Sequence, residues 1–401
     1  MRFFDRRPSS FPVSLSLALA CVMCSLTWGQ QSAPAPSLQR ANSVGPNGVI
    51  VQSVFGGQIF GFDIDQNGTE GILTEAVFLP TGKLLAAVET FDQSTGKILR
   101  VVKKIQGKDD FITLGIVGNG SGLVEREHVK GIFVDSRIYS VLDPLSSKKF
   151  TGTWTPPLTK DDIMLSVSRI QGTSKTAFLY FQNGGDNHTF VFASDVAANT
   201  FGPQIVLPDN PFFFSNSPLV AYDSKHNRAV VAASDGTVGG PQPQIALVNL
   251  NTGNVTTFLG LQGPPPFRQG FINGLAVDSE DGIACTTTEV DFRVEFYDLK
   301  KKNGVAVVLP GATGQLQSGT DVEFDPINKL FLVAQSVSST GPGSSIQVYD
   351  IKGNLVESLN GFNFSNTSNV VRTHIAINPT NRSGYVDGPD PGVTQLQSFV
   401  Y

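Results

Sequence analysis

The sequence predicts an all-β fold, a β-propeller of four-stranded blades, seven in number. Three observations predict it. A strand–turn–strand unit recurs at a spacing of about 50 residues, the period of a propeller blade. Gly 41 and Pro 24 among 401 residues punctuate the chain into short elements. No stretch repeats apolar residues at helical spacing over more than about two turns.

Arg2, Arg6 and Arg7 precede the apolar stretch from Phe11 to Leu26, and small residues follow, the pattern of a signal peptide over residues 1–29. The stretch falls short of the ~20 residues that a spanning helix needs. Lipidation at Cys21 or Cys24 is the alternative anchor for this segment. Residues 30–48 form a polar, Pro-rich spacer, and residues 49–401 a single propeller domain. The expected product is exported, periplasmic or extracellular, and monomeric, with no membrane span in the mature chain.

Within the propeller, Gln58–Ile64 is a spare strand, expected to pair with the C-terminal blade and so remove an open sheet edge. The hairpin TEAVFLPTGKLLAAVE from Thr74 is expected to open the first blade. Residues 123–158 and 163–207 are strand-rich but degenerate copies. Three clear units follow, from Ser217 (SPLVAYDSKHNRAVVAAS), Asn273 (NGLAVDSEDGIACTTT) and Thr320 (TDVEFDPINKLFLVAQ). Asp223, Asp278 and Asp325 mark their first turns, where a carboxylate accepts a backbone N–H two residues on. The last unit keeps this hairpin from His374, with Asn378 in the Asp place, and ends after three strands.

Charge and cysteine narrow the function classes. Residues 1–29 carry a net +2, so their removal lowers the formal charge from −5 to −7. An acidic chain without a basic run is a poor nucleic-acid binder, because neutralising phosphates takes clustered Lys and Arg. Of three cysteines only Cys285 lies beyond the signal region, so no internal disulfide is available. Its apolar strand context points to a buried, inert thiol.

The hairpins resemble the innermost hairpins of NHL- and YVTN-type propellers, a likeness that spans residues 74–401 and identifies a blade, not a chemistry. Glu75, the pair Asn273-Gly274, and Asp321 also stand in the order of the metal ligands of gluconolactonase- and regucalcin-like (SMP-30) propellers. That resemblance implies a divalent cation, calcium, at the channel mouth. The sequence departs from it: Ala-Val follows Glu75, Val follows Asp321, and the seven units exceed that family's six blades.

Counting back four or five residues from each turn gives Glu75, Asn273, Asp321 and His374 as residues converging at the mouth. Oxygen donors there suit a hard cation, and His374 beside Asp321 suits a general base. Alternatively, the same residues hydrogen-bond neighbouring strands or channel water. On the same face, Phe212, Phe213 and Phe214 in one loop, and Phe267 and Arg268 in another, are expected to form a binding platform. The leading expectation is a binding module for a protein, glycan or small molecule through this loop-rich face. The alternatives are a calcium-dependent hydrolase or lactonase at the mouth, and a structural module of the envelope. No catalytic motif names a reaction.

Overall fold

The structure is a computed structural model. It describes residues 49–117, 120–130, 133–159, 162–168, 175–182, 188–208, 218–233, 243–261, 272–288, 293–310, 317–337, 344–362, 374–387 and 395–401. Seven antiparallel sheets of four strands form a ring, each sheet one blade of a β-propeller. The described residues contain strands and turns, and no helix among them is long and apolar enough to cross a membrane. In blade 3 the outer strand is split into Thr200–Phe201 and Ile205–Val206, with Gly202-Pro203 between them; proline cannot donate to the ladder.

The inner strands, blades 1 to 7, are Gln58–Ile64, Asp109–Val117, Asp162–Val167, Leu219–Asp223, Ile272–Asp278, Gln317–Asp325 and Ile375–Asn378. Alternation along each strand decides the packing, because successive side chains point to opposite faces of a sheet. On the second strand of blade 3, Ala177 and Leu179 pack towards blade 4, while Phe178 and Tyr180 pack towards blade 2. On blade 4, Ala229 and Val231 face blade 3, and Val230 and Ala232 face blade 5. Each blade thus shares one apolar seam with each neighbour. This double-sided burial stabilises a ring that has no internal disulfide.

The turns behave as their residues dictate. Asp278 Oδ1 accepts the Glu280 N–H at 2.9 Å, and Asp325 Oδ1 accepts the Ile327 N–H at 2.8 Å. Asp223 and Asn378 grip the N–H three residues on. The same device closes outer hairpins at Asp92, Asn249, Asp298 and Asp350. These turns also tie blade to blade. Ser224 N–H donates to Ser279 Oγ, Lys329 Nζ to Asp278, and Tyr401 Oη to Asp325.

Two sequence expectations need correction. The ring does close through an N-terminal strand on the C-terminal blade, but that strand is Ile50–Gln52, paired with Gln395–Val400. Gln58–Ile64 is instead the inner strand of blade 1. The hairpin from Thr74 therefore supplies the second and third strands of blade 1, Glu70–Phe78 and Leu84–Asp92, and Asp109–Val117 opens blade 2. The cause is local. Leu79-Pro80-Thr81-Gly82-Lys83 is a tight turn with Gly82 at φ +73°, so this connection has the chemistry of an innermost turn. The total of seven survives because the slip shifts the units without adding one.

Candidate functional site: the central channel

The inner strands enclose a channel cavity of about 830 Å³ that receives side chains from all seven blades. Five of the seven inner strands carry a one-residue register shift: at 59/61, 113/115, 164/166, 272/274 and 319/321. A bulge inserts one unpaired residue and re-aims its side chain. In blades 1, 2 and 5 the inserted residue is Phe60, Leu114 and Asn273, and all three line the channel.

Bulged strands also crowd one another. A Cβ on Gly274 would lie 2.7 Å from the Val322 nitrogen of the next inner strand and 2.8 Å from Thr287 Oγ1. Glycine at this position lets two strands converge. Gly274→Ala is expected to destabilise the fold by about 1–3 kcal/mol through overpacking, measured as a lower denaturant midpoint; an unchanged midpoint would show that the strands can part.

On the half of the channel next to the loop face, the wall is divided. Inner strands of blades 1–4 present Phe60, Ile112, Met164 and Leu219, whereas those of blades 5 and 6 present Asn273 and Asp321, and His374 stands just before that of blade 7. Asp321 Oδ1 accepts its neighbour Val322 N–H at 2.9 Å, and Oδ2 accepts Ile375 N–H of blade 7 at 3.0 Å. His374 Nδ1 stands 3.9 Å from Asp321 Oδ2, and the His374 N–H donates to Asp387 Oδ2 at 3.1 Å. Asp321 thus bridges two inner strands, as Asp63 does to Ile116 N–H and Ser166 Oγ to Val220 N–H. These side chains hold the wall rigid as well as facing the cavity.

Counting back from the turns therefore places Asn273, Asp321 and His374 together. It misplaces Glu75, which lies on the second strand of blade 1, fully buried, with its carboxylate on Phe55 and Gly57 N–H groups. Glu75 does not line the channel with the other three. Among the described residues no group of three or more His, Cys, Asp or Glu is arranged to hold a metal ion. Phe212, Phe213, Phe214, Phe267 and Arg268 lie outside the described residues, as do most positions of the long second-to-third-strand loops.

Sequence reasoning missed a knot of two carboxyl groups and one guanidinium in the channel wall. Arg137 Nε bridges Glu125 and Glu127 at 2.9 and 3.0 Å, and its Nη1 donates to Asp162 O at 3.1 Å. All three side chains line the channel wall. Burial, then the charge of Glu127, pushes the Glu125 carboxyl upward; burial pushes Asp110, paired in register with Glu127, up to about 7. The signal was two carboxylates two residues apart in a strand, Val124-Glu125-Arg126-Glu127, hence on one face.

No protein-family model matches the chain, and no curated protein matches it by sequence. Solved structures do match in shape. U3-55K superposes with TM-score 0.59 at 11% identity, over 89% of this chain and 100% of that one. The RRP9 WD40 repeats give 0.57 at 11% identity, over 88% and 98%. Kuenenia stuttgartiensis hydrazine synthase gives 0.54 at 12% identity, over 84% and 94%. The chain is a seven-bladed propeller. At such identities the likeness extends to the fold alone, which WD40 proteins and an enzyme share.

Proposed function

We propose that this propeller is an exported binding module whose ligand seats at the loop end of the channel. The observation that carries the reading is the mixed wall: Phe60, Ile112, Met164 and Leu219 on one side, where Glu125, Glu127 and Arg137 also reach the cavity, and Asn273, Asp321 and His374 on the other. Such a seat suits a ligand with an apolar body and a polar or cationic end. Concave sites of this kind gain affinity from apolar burial and orientation from a few polar groups. The WD40-type shape adds support for an interaction role. In this reading Phe213 and Phe267 are binding residues as well.

Three probes with one tail test it: octyltrimethylammonium, octyl glucoside and octanoate, below micelle formation. Binding to the native state alone raises the unfolding midpoint, by ~2.7 kcal/mol at a hundredfold excess over Kd. The cationic or polyol head is expected to stabilise, octanoate less so beside Asp321, and Asn273→Ala or His374→Ala to abolish the shift. No shift with any probe would remove the channel as the seat. Phe213→Ala and Phe267→Ala then ask whether the loop face alone recruits a protein or glycan.

A further inference from the structure

Two carboxylic side chains that the channel does not use meet in the seam where the ring closes. Glu75 and Glu89 sit on adjacent strands of blade 1, and neither has exposed surface. Leu73, opposite Glu89, packs with Val51, Ala376, Tyr385 and Leu396, so this face of blade 1 is turned to the last blade. Residues 53–57 run over the pair and join the closing strand Ile50–Gln52 to the inner strand of blade 1. The carboxyl groups grip that segment. Glu75 accepts Phe55 N–H at 3.0 Å and Gly57 N–H at 2.8 Å, and Glu89 Oε2 accepts Val54 N–H at 3.2 Å. The pass is close: a Cβ on Gly57 would lie 2.6 Å from Ala76 O and 2.9 Å from Glu75 Oε2. Glu89 Oε1 is buried with no donor hydrogen-bonded to it.

The surroundings do not neutralise two charges. Lys104, opposite Ala87 in register and so on the face of Glu75, is exposed, and its Nζ lies 5.5 Å from the Phe55 ring centroid. From the last blade, Tyr385 and Asp387 point the same way along one strand; neither supplies a cation. Residues 53–57 carry no titratable side chain. Burial pushes the Glu89 carboxyl up to about 8, the Glu75 charge and a hydrogen bond to Glu75 add to it, and the Val54 N–H opposes it.

We propose that Glu75 and Glu89 form an alkali-sensitive clasp on ring closure, holding residues 54–57 and the closing strand when Glu89 is protonated and releasing them when it ionises. Glu89 binds its proton more tightly when the seam is closed than when it is open, so closing takes up a proton. The stabilisation is complete below the ordinary carboxyl value of 4.5 and falls as pH rises towards about 8, where it is lost.

Hydrogen exchange of the full chain, read in peptides covering residues 49–57 and corrected for intrinsic rates, tests this between pH 5.5 and 9.5. Protection should fall about tenfold per pH unit until about pH 8 and then level off, as one proton requires. Peptides from the apolar seam of blades 3 and 4 should not follow. Glu89→Gln should flatten the profile at the protected level. A flat wild-type profile overturns the clasp, as does a slope shared by every seam or kept in Glu89→Gln. The wild-type slope decides even where the variant fails to fold.

Discussion

Trp154→Ala is expected to cost about 3–5 kcal/mol of stability, the range for truncating a large buried aromatic residue. Trp154 is 1% exposed and is the hub of the seam between blades 2 and 3. It stacks on Phe178 with centroids 4.3 Å apart and meets Tyr139 edge-on at 5.0 Å. Its indole N–H donates to Ser194 Oγ of blade 3 at 2.8 Å, so one side chain joins two blades by packing and by a hydrogen bond. Urea unfolding followed by circular dichroism measures the loss as a lower midpoint at unchanged slope. Trp154→Phe keeps the stack and should lose less than half as much. A midpoint shift under 1 kcal/mol for the alanine variant would show that the neighbouring rings close the gap.

Starting the chain at Ser53 is expected to damage the fold through a different route. It removes the pairing of Ile50 with Gln397, Val51 with Leu396 and Gln52 with Gln395. Fully buried Val51 contributes about 1.5–3 kcal/mol by leaving water. The bonds of Val49 to Ser398 go too, each worth about 1 kcal/mol net. The strand Gln395–Val400 would then present an open edge, a template for pairing with a second chain. The shortened chain should melt earlier and elute with a concentration-dependent larger mass. A monomer with the full-length midpoint would show that three strands suffice for the last blade. The shortened chain keeps Val54, Phe55 and Gly57, so the experiment separates the closing strand from the carboxyl clasp above it.

What the sequence made legible follows from where turn chemistry is unambiguous. Blades 4 to 6 are readable because Asp223, Asp278 and Asp325 sit at inner turns, and in blades 4 and 6 a long second-to-third connection follows. Once those turns were fixed, Asn273, Asp321 and His374 could be placed at one end of the channel by counting. Blade 1 gave no such contrast, since its second-to-third connection is as tight as an inner turn. Counting consequently assigns Glu75 one strand too far in. The knot of Glu125, Glu127 and Arg137 was hidden for a related reason. Gly120, at φ +78°, stands between the first two strands of blade 2, where blades 4 to 6 place a turn Asp, so its strands have no marker. The bulges leave no sequence signal, because an inserted residue breaks the alternation that marks a strand.

The aromatic richness of one seam has an optical consequence. Beyond the expected signal peptide the sequence holds a single tryptophan, Trp154, because Trp28 precedes the propeller. Indole emission from the ring therefore comes from the contact between blades 2 and 3. The closure lies between blades 7 and 1, on a different arc of the circle. A fluorescence melt will stay silent while the closing segment opens and closes, and will respond only when the second and third blades part. For this molecule, steady emission is compatible with an open ring.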